Sequence, residues 1–260
     1  MRYAIISDIH SNLEALTAVI AHIERCGADR IICLGDIVGY HANPNECIEL
    51  IRQREVLSVA GNHDRAAAGL KEPVDFSQAA RCAILWTQGA LTEGSRRFLE
   101  GLPTFGIVHQ KFLIVHAALH PYPNEDLRLR SPVEVVASME SMVEHFPGLK
   151  ICFVGHMHAA VVYEYRNGSL SSTSPSVARL DPEARYIINP GSVGQPRDGD
   201  NRASFAIFDS ETATIQFCRV EYDRAASIQK ARRVGLIRRS ALRAIFSAAI
   251  HFPSTIRKIS

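Results

Sequence analysis

The sequence predicts an α/β protein in which buried strands alternate with helices, followed toward the C-terminal end by a second, largely antiparallel sheet. Three observations carry this. Five short apolar runs rich in β-branched residues recur at 3–7, 31–34, 56–60, 112–115 and 151–154, and continuous runs of that length suit strands buried on both faces. Stretches with helical periodicity separate them. After residue 160 the pattern changes to strand-like segments at 161–165, 186–189, 203–209 and 213–221, the last two close enough to form a hairpin about a turn at 210–212.

Between the first two runs, Leu13, Leu16, Val19, Ile20 and Ile23 share one helical face, so a helix is expected over 13–26. Ser11-x-x-Glu14 reads as its capping box and Gly27 as its stop. The next helix begins at Asn43, the cap, with Pro44 at the first helical position and Cys47, Ile48 and Ile51 facing inward. Segment 77–100 reads as one or two helices, and 132–145 as another, opened by Ser131-Pro132-Val133-Glu134. Residues 168–183, rich in Ser, Pro and Gly, read as a surface loop.

With 260 residues, 47% hydrophobic and 22% charged, the chain can bury a sizeable core, which excludes disordered and fibrous classes. No apolar stretch approaches the roughly 20 residues that a spanning helix needs, so an integral membrane protein is excluded. Residues 1–8 run straight into the first strand, and no signal peptide is expected, which points to the cytoplasm. The six cysteines are scattered without a Cys-x-x-Cys pair and read as buried small hydrophobes in a reducing compartment. Charge is unevenly spread: residues 224–260 hold nine Lys or Arg and no Asp or Glu, against 20 basic and 27 acidic residues in 1–223. The reading is a mildly acidic domain over 1–223 and a basic helical tail over 224–260.

Each of the five runs stops at side chains that bind metals or move protons. The sequence after them reads Asp8-Ile9-His10, Gly35-Asp36, Gly61-Asn62-His63-Asp64, His116, and Gly155-His156-Met157-His158. The carboxyl ends of strands are where sites form in open α/β sheets, so the five ends are expected to converge on one cleft. Carboxylates, an amide oxygen and imidazoles together suit manganese, iron or zinc better than calcium or structural zinc. Asp8 and His10, two apart, are expected to share a face as strand gives way to turn, and His156 and His158 repeat that spacing. The donors suffice for two divalent ions, a known device for phosphoryl chemistry. The glycines before Asp36, Asn62 and His156 suit a sharply bent backbone beside metal and phosphate.

Taken in order, these motifs resemble the calcineurin-like metallophosphoesterases over residues 1 to about 160. The resemblance implies a four-layer α/β/β/α sandwich of two mixed β-sheets. It implies two divalent metals, manganese first, with iron, zinc, nickel or cobalt as alternatives. Asp8, His10 and His158 would hold one metal, Asn62, His116 and His156 the other, and Asp36 would bridge them, with a bridging hydroxide as nucleophile. His63 matches the family's proton donor to the leaving group.

The resemblance is closest to the small bacterial and archaeal phosphoesterases, which lack a large cap. Segment 189–197, Asn-Pro-Gly-Ser-Val-Gly-Gln-Pro-Arg, looks like their loop near the site, and Arg197 is placed to meet a phosphate. Ser/Thr protein phosphatases of the superfamily carry Asp and then Arg where this chain has Gly39 and Tyr40, which disfavours that subgroup; Tyr40 would shape the leaving-group side. The acidic body has the wrong sign for a large duplex nucleic acid. Small phosphoesters or nucleotides, including dinucleoside polyphosphates and small phosphoproteins, are the expected substrates, with a non-catalytic metal-binding scaffold as the alternative. The tail, with Leu242, Ile245 and Phe246 among its arginines, reads as a helix packed on the body or on a second copy in a homo-oligomer, in preference to contact with RNA or a membrane surface.

Overall fold

The computed structural model describes residues 1–121 and 127–237. In chain order its elements are β1 (Arg2–Ile6), α1 (Leu13–Cys26), β2 (Arg30–Cys33), α2 (Pro44–Gln53), β3 (Leu57–Ser58), α3 (Asn62–Ala68), α4 (Gln78–Ala90), α5 (Glu93–Glu100), β4 (Phe105–Val108), β5 (Phe112–Val115) and α6 (Pro132–His145). There follow β6 (Ile151–Phe153), β7 (Ala160–Arg166), β8 (Ser169–Thr173), β9 (Val177–Arg179), β10 (Arg185–Pro190), β11 (Ala203–Asp209), β12 (Thr214–Val220) and α7 (Arg224–Arg233).

The strands form two mixed sheets, ordered β3-β2-β1-β11-β12-β9 and β4-β5-β6-β10-β7-β8. Three apolar layers hold them. Tyr3, Ile5, Ile32 and Leu34 of the first sheet meet Phe112, Ile114, Phe153 and Ile188 of the second between the sheets. Leu16, Val19 and Ile23 of α1 and Ile48 and Ile51 of α2 cover the outer face of the first sheet, while Val135, Met139 and Met142 of α6 cover that of the second. This is a four-layer α/β/β/α sandwich, and strands covered on both faces explain the unbroken apolar runs.

The C-terminal strands do not make a sheet of their own, contrary to the sequence reading. β1 pairs parallel with β2 on one side, and β11 closes its other edge antiparallel, Ile5 opposite Ala206. In the same way β10 runs parallel to β6 and antiparallel to β7. Each N-terminal βα array has an open edge whose backbone groups require partners, and the later strands supply them. Segment 168–183 is not a plain loop either: β8 pairs with β7 across Asn167 and Gly168, at φ 51° and 75°, and β9 pairs with β12. Ser and Thr on a half-exposed edge strand hid the alternation.

Helix starts differ in one instructive place. Asn12, not Ser11, caps α1, its Oδ1 accepting from Ala15 N at 3.2 Å; the Ser11 hydroxyl instead accepts from Gly39 N at 3.0 Å. Ser131 caps α6 with Glu134 in a complete capping box, as read. Of the cysteines, Cys33, Cys47, Cys152 and Cys218 are buried, whereas Cys82 is exposed on α4. Leu242, Ile245 and Phe246, and the tail beyond 237, lie outside the described residues. No helix among the described residues is long and apolar enough to cross a membrane.

Candidate metal centre

The carboxyl ends of β1, β2, β3, β5 and β6, drawn from both sheets, deliver their next residues to one place. Five of these residues take left-handed backbone: Asp8 at φ 52°, His10 at 52°, Asp36 at 53°, His156 at 65° and His158 at 58°. Asp8 and His10 therefore do not share a strand face, as their spacing suggested; each leaves the strand end in a left-handed turn. Such conformations cost non-glycine residues about 1 kcal/mol or more each. Loop-to-loop hydrogen bonds offset the strain: Asp8 N donates to Gly35 O at 3.0 Å, His10 N to Asp36 O at 2.9 Å, and Gly155 N to His116 O at 2.7 Å.

Two donor groups result. Asp8, His10, Asp36 and His158 form one, and Asp36, His116 and His156 the other, each with ligand atoms within 4.8 Å of one another and every member buried. Asp36 belongs to both. Its Oδ2 lies 3.6 Å from His10 Nε2 and 3.3 Å from His116 Nε2. His158 Nε2 lies 3.2 Å from Asp8 Oδ1, and Asn62 Oδ1 lies 3.1 Å from His116 Nε2. The approach of Asn62 depends on Gly61, where a Cβ would fall 2.1 Å from Asp36 Oδ1.

The imidazoles are oriented from behind. Nδ1 of His10, His116 and His158 faces the carbonyls of Val38, Leu34 and Gln195 at 3.2, 2.8 and 2.6 Å. A carbonyl only accepts, so each Nδ1 carries the proton and each Nε2 turns toward the cluster. Burial pushes His10 and His158 below the ordinary imidazole range, against the pull of the neighbouring carboxylates, so both are neutral. Their Nε2 lone pairs meet at 3.1 Å. Lone pairs aimed at one buried space beside two carboxylates call for a cation, and mixed imidazole and carboxylate donors fit a divalent transition metal. Burial alone would raise the carboxyls of Asp8 and Asp36, yet both are held low, Asp36 chiefly by the protonated His116 beside it. His116 loses to burial but gains more from Asp36, ending at about 10, so a proton competes there with a metal.

His63 follows Asn62 at the start of α3, and its N–H donates to Asp36 Oδ1 at 2.9 Å. Its ring stands between those of Tyr40 and Phe76, 4.8 and 4.9 Å away, with His10 at 4.7 Å. Burial pushes it down to about 4 in spite of Asp36. On the other wall, Arg197 is fixed by its own N–H on His158 O at 2.9 Å, while its guanidinium reaches Gln195 Oε1 at 2.9 Å and the Tyr40 hydroxyl at 3.4 Å. All ten candidate site residues named from the sequence are thus gathered in one region.

Sequence reasoning missed several others. Asp64 accepts from Gly61 N and Val38 N, both at 3.0 Å, tying α3 to the loop after β2; burial and Asp36 push it up to about 7. Asn189 Nδ2 donates to Gly155 O at 2.6 Å, and Ser192 Oγ to Asp8 O at 2.8 Å. Arg128, between β5 and α6, brings its Nε to 3.3 Å from His156 Nε2. Asp64 had a signal, its place in Gly61-Asn62-His63-Asp64; Arg128 had none beyond being basic.

A two-sheet sandwich with buried Asp and His side chains gathered at the strand ends defines a metal-dependent hydrolase of phosphoester bonds. Residues 1–213 match the Calcineurin-like phosphoesterase superfamily domain, and the chain belongs to that superfamily. It is 44% identical over 232 residues, 87% of this chain and 90% of the relative, to the uncharacterized protein MJ0912 of Methanocaldococcus jannaschii. The crystal structure of a metallophosphoesterase from Sphaerobacter thermophilus superposes with a TM-score of 0.78 at 36% identity, over 96% of this chain and 100% of that one. The hypothetical protein PH1004 from Pyrococcus horikoshii OT3 shares the fold, with a TM-score of 0.70 at 22% identity over 91% of this chain and 94% of that one. These relatives place the chain with the small bacterial and archaeal members.

Proposed function

We propose that this chain hydrolyses small phosphoesters, nucleotides among them, with two divalent ions, manganese foremost. The observation that carries the reading is the double membership of Asp36, which faces both donor groups. Asp8, His10 and His158 would hold one ion, Asn62, His116 and His156 the other, and Asp36 both. Such a pair supplies Lewis acidity to the phosphoryl oxygens and an activated water.

The protein's own groups do the rest. Carbonyls behind Nδ1 keep the imidazoles in the tautomer that presents Nε2. Burial of the donors excludes bulk water and strengthens every charge interaction in the site. Arg197, steadied by Tyr40 and Gln195, offers a fork of donors to phosphate oxygens. His63, held neutral by burial between Tyr40 and Phe76, would take up a proton beside an anionic ester and give it to the departing oxygen, a role worth about 10²–10⁴ in rate.

The test is hydrolysis of a chromogenic phosphodiester and its monoester by metal-stripped protein with Mn²⁺ restored, beside His63→Ala. Metal-dependent turnover that collapses in the variant while bound metal is retained is expected. Stoichiometric metal without turnover on any phosphoester would identify a scaffold instead.

A further inference from the structure

Arg128 and Arg197 approach the cluster from different parts of the chain, and each attends one histidine of the Gly155-His156-x-His158 turn. Arg128 donates from Nε to His156 Nε2 at 3.3 Å, while Arg197 is anchored through its backbone N–H to His158 O at 2.9 Å. Both are half-buried. Among the described residues neither guanidinium pairs with a carboxylate; Arg197 has only the neutral oxygens of Tyr40 and Gln195 and the Tyr40 ring, 5.8 Å from its central carbon. Two half-buried guanidiniums at the same turn, neither ion-paired among the described residues, beside a site read as holding divalent ions, are arranged for a ligand of high negative charge.

We propose that Arg128 completes with Arg197 a two-guanidinium clamp that selects phosphoesters with a terminal, doubly charged phosphate over diesters. The proposal rests on the hydrolase reading of the site. A phosphomonoester carries close to two negative charges at neutral pH and has three terminal oxygens, enough to meet ions and both guanidinium forks at once. A diester carries one charge and has two such oxygens, so one fork is left without a charged partner. Arg128 is the better probe of the pair because, among the described residues, its guanidinium hydrogen-bonds only the His156 ring.

The test uses the full-length, Mn²⁺-loaded protein and compares kcat/KM for para-nitrophenyl phosphate and bis(para-nitrophenyl) phosphate in wild type, Arg128→Gln and Arg128→Lys. Orthophosphate affinity, measured by calorimetry on the same proteins, gives a readout independent of turnover. In Arg128→Gln the monoester-to-diester ratio is expected to fall by about 10-fold or more, and orthophosphate to bind about 10-fold more weakly, as loss of one charge-assisted hydrogen bond predicts. Arg128→Lys, which keeps the charge but not the fork, falls between and serves if the glutamine variant does not fold. A ratio and an orthophosphate affinity both unchanged within about twofold would overturn the clamp. A wild type that holds metal and cleaves neither ester would overturn the hydrolase reading on these substrates, and the orthophosphate measurement would then decide the clamp alone.

Discussion

Gly39 lies against the imidazole of His63: a Cβ at position 39 would stand 2.5 Å from His63 Nδ1. That nitrogen is buried and has no hydrogen-bond partner among the described residues. The Ser/Thr protein phosphatase relatives named from the sequence carry an aspartate at this position; here the ring is positioned by contact, between Tyr40, Phe76 and the bare backbone of Gly39. Gly39 also has φ +101°, which an L side chain rarely adopts. Gly39→Ala is therefore expected to displace His63, lowering kcat by about 10²-fold with metal content unchanged. Stability should fall by about 1 kcal/mol or more. Activity retained at the wild-type level, alongside a lowered Tm, would separate a backbone effect from one on His63.

Asp36 should be the least replaceable donor, because its Oδ2 serves His10 on one side and His116 on the other. Asp36→Asn keeps the shape and removes the charge that the two donor groups share. Bound metal, measured by elemental analysis after dialysis, is expected to fall at both sites together, with a loss of affinity beyond the roughly 10- to 100-fold associated with an outer-sphere partner. Loss of one equivalent alone would mean that Asp36 serves a single ion.

His41 links three segments around the site and sets an acid limit on the fold. Its Nδ1 is 2.9 Å from Ser227 Oγ on α7, and the backbone of Gly194 lies beside it. Burial pushes it from 6.5 down to about 4, against the pull of Glu14. A folded value below the unfolded one means that the fold excludes a proton the unfolded chain takes up. The stabilisation is complete above the unfolded value and is lost as pH falls from there through about 4. A shift of that size corresponds to at most about 3 kcal/mol. His41→Gln should flatten the chemical-denaturation stability profile between pH 6.5 and 4; a variant whose profile parallels the wild type would assign the acid lability to other groups.

The outer frame of this protein is legible in its sequence because burial writes itself into composition. Strands covered on both faces appear as continuous apolar runs, and α1 and α6 declare themselves by periodicity and caps. The residues at the strand ends are conspicuous for a related reason, since polar side chains directly after a buried strand need an explanation. What the sequence hides is how the chain turns there. Left-handed backbone at Asp8, His10, Asp36, His156 and His158 follows from long-range bonds such as Asp8 N to Gly35 O, and no local propensity encodes it. Sheet membership is hidden likewise: β11 belongs beside β1 because an edge some 200 residues earlier in the chain lacks a partner. Arg128 is invisible for the same reason, being placed by the path between β5 and α6 and marked by no motif.

The boundary drawn from charge at residue 223 falls at the cap of α7, and that helix packs on the body. In α7, Ser227 and Ala231 are buried, and Ile237 beyond it is 8% exposed. Lys230 meets Glu14 of α1 at 2.6 Å, and Asn12, the α1 cap, reaches the Tyr222 hydroxyl at 3.3 Å. α7 is thus a strap across α1 and the His41 loop, basic in composition yet part of the body. Two truncations distinguish strap from tail. A chain ending at residue 237 keeps every one of these contacts. One ending at residue 223 loses the buried faces of α7, the Ser227 bond to His41 and the partner of Glu14, a cost on the order of 2–3 kcal/mol. Because His41 adjoins Tyr40 and lies beside Gly194, the shorter chain should also show a raised KM before it unfolds. Equal stability of the two truncations would return α7 to the tail and place the end of the domain where the charge changes.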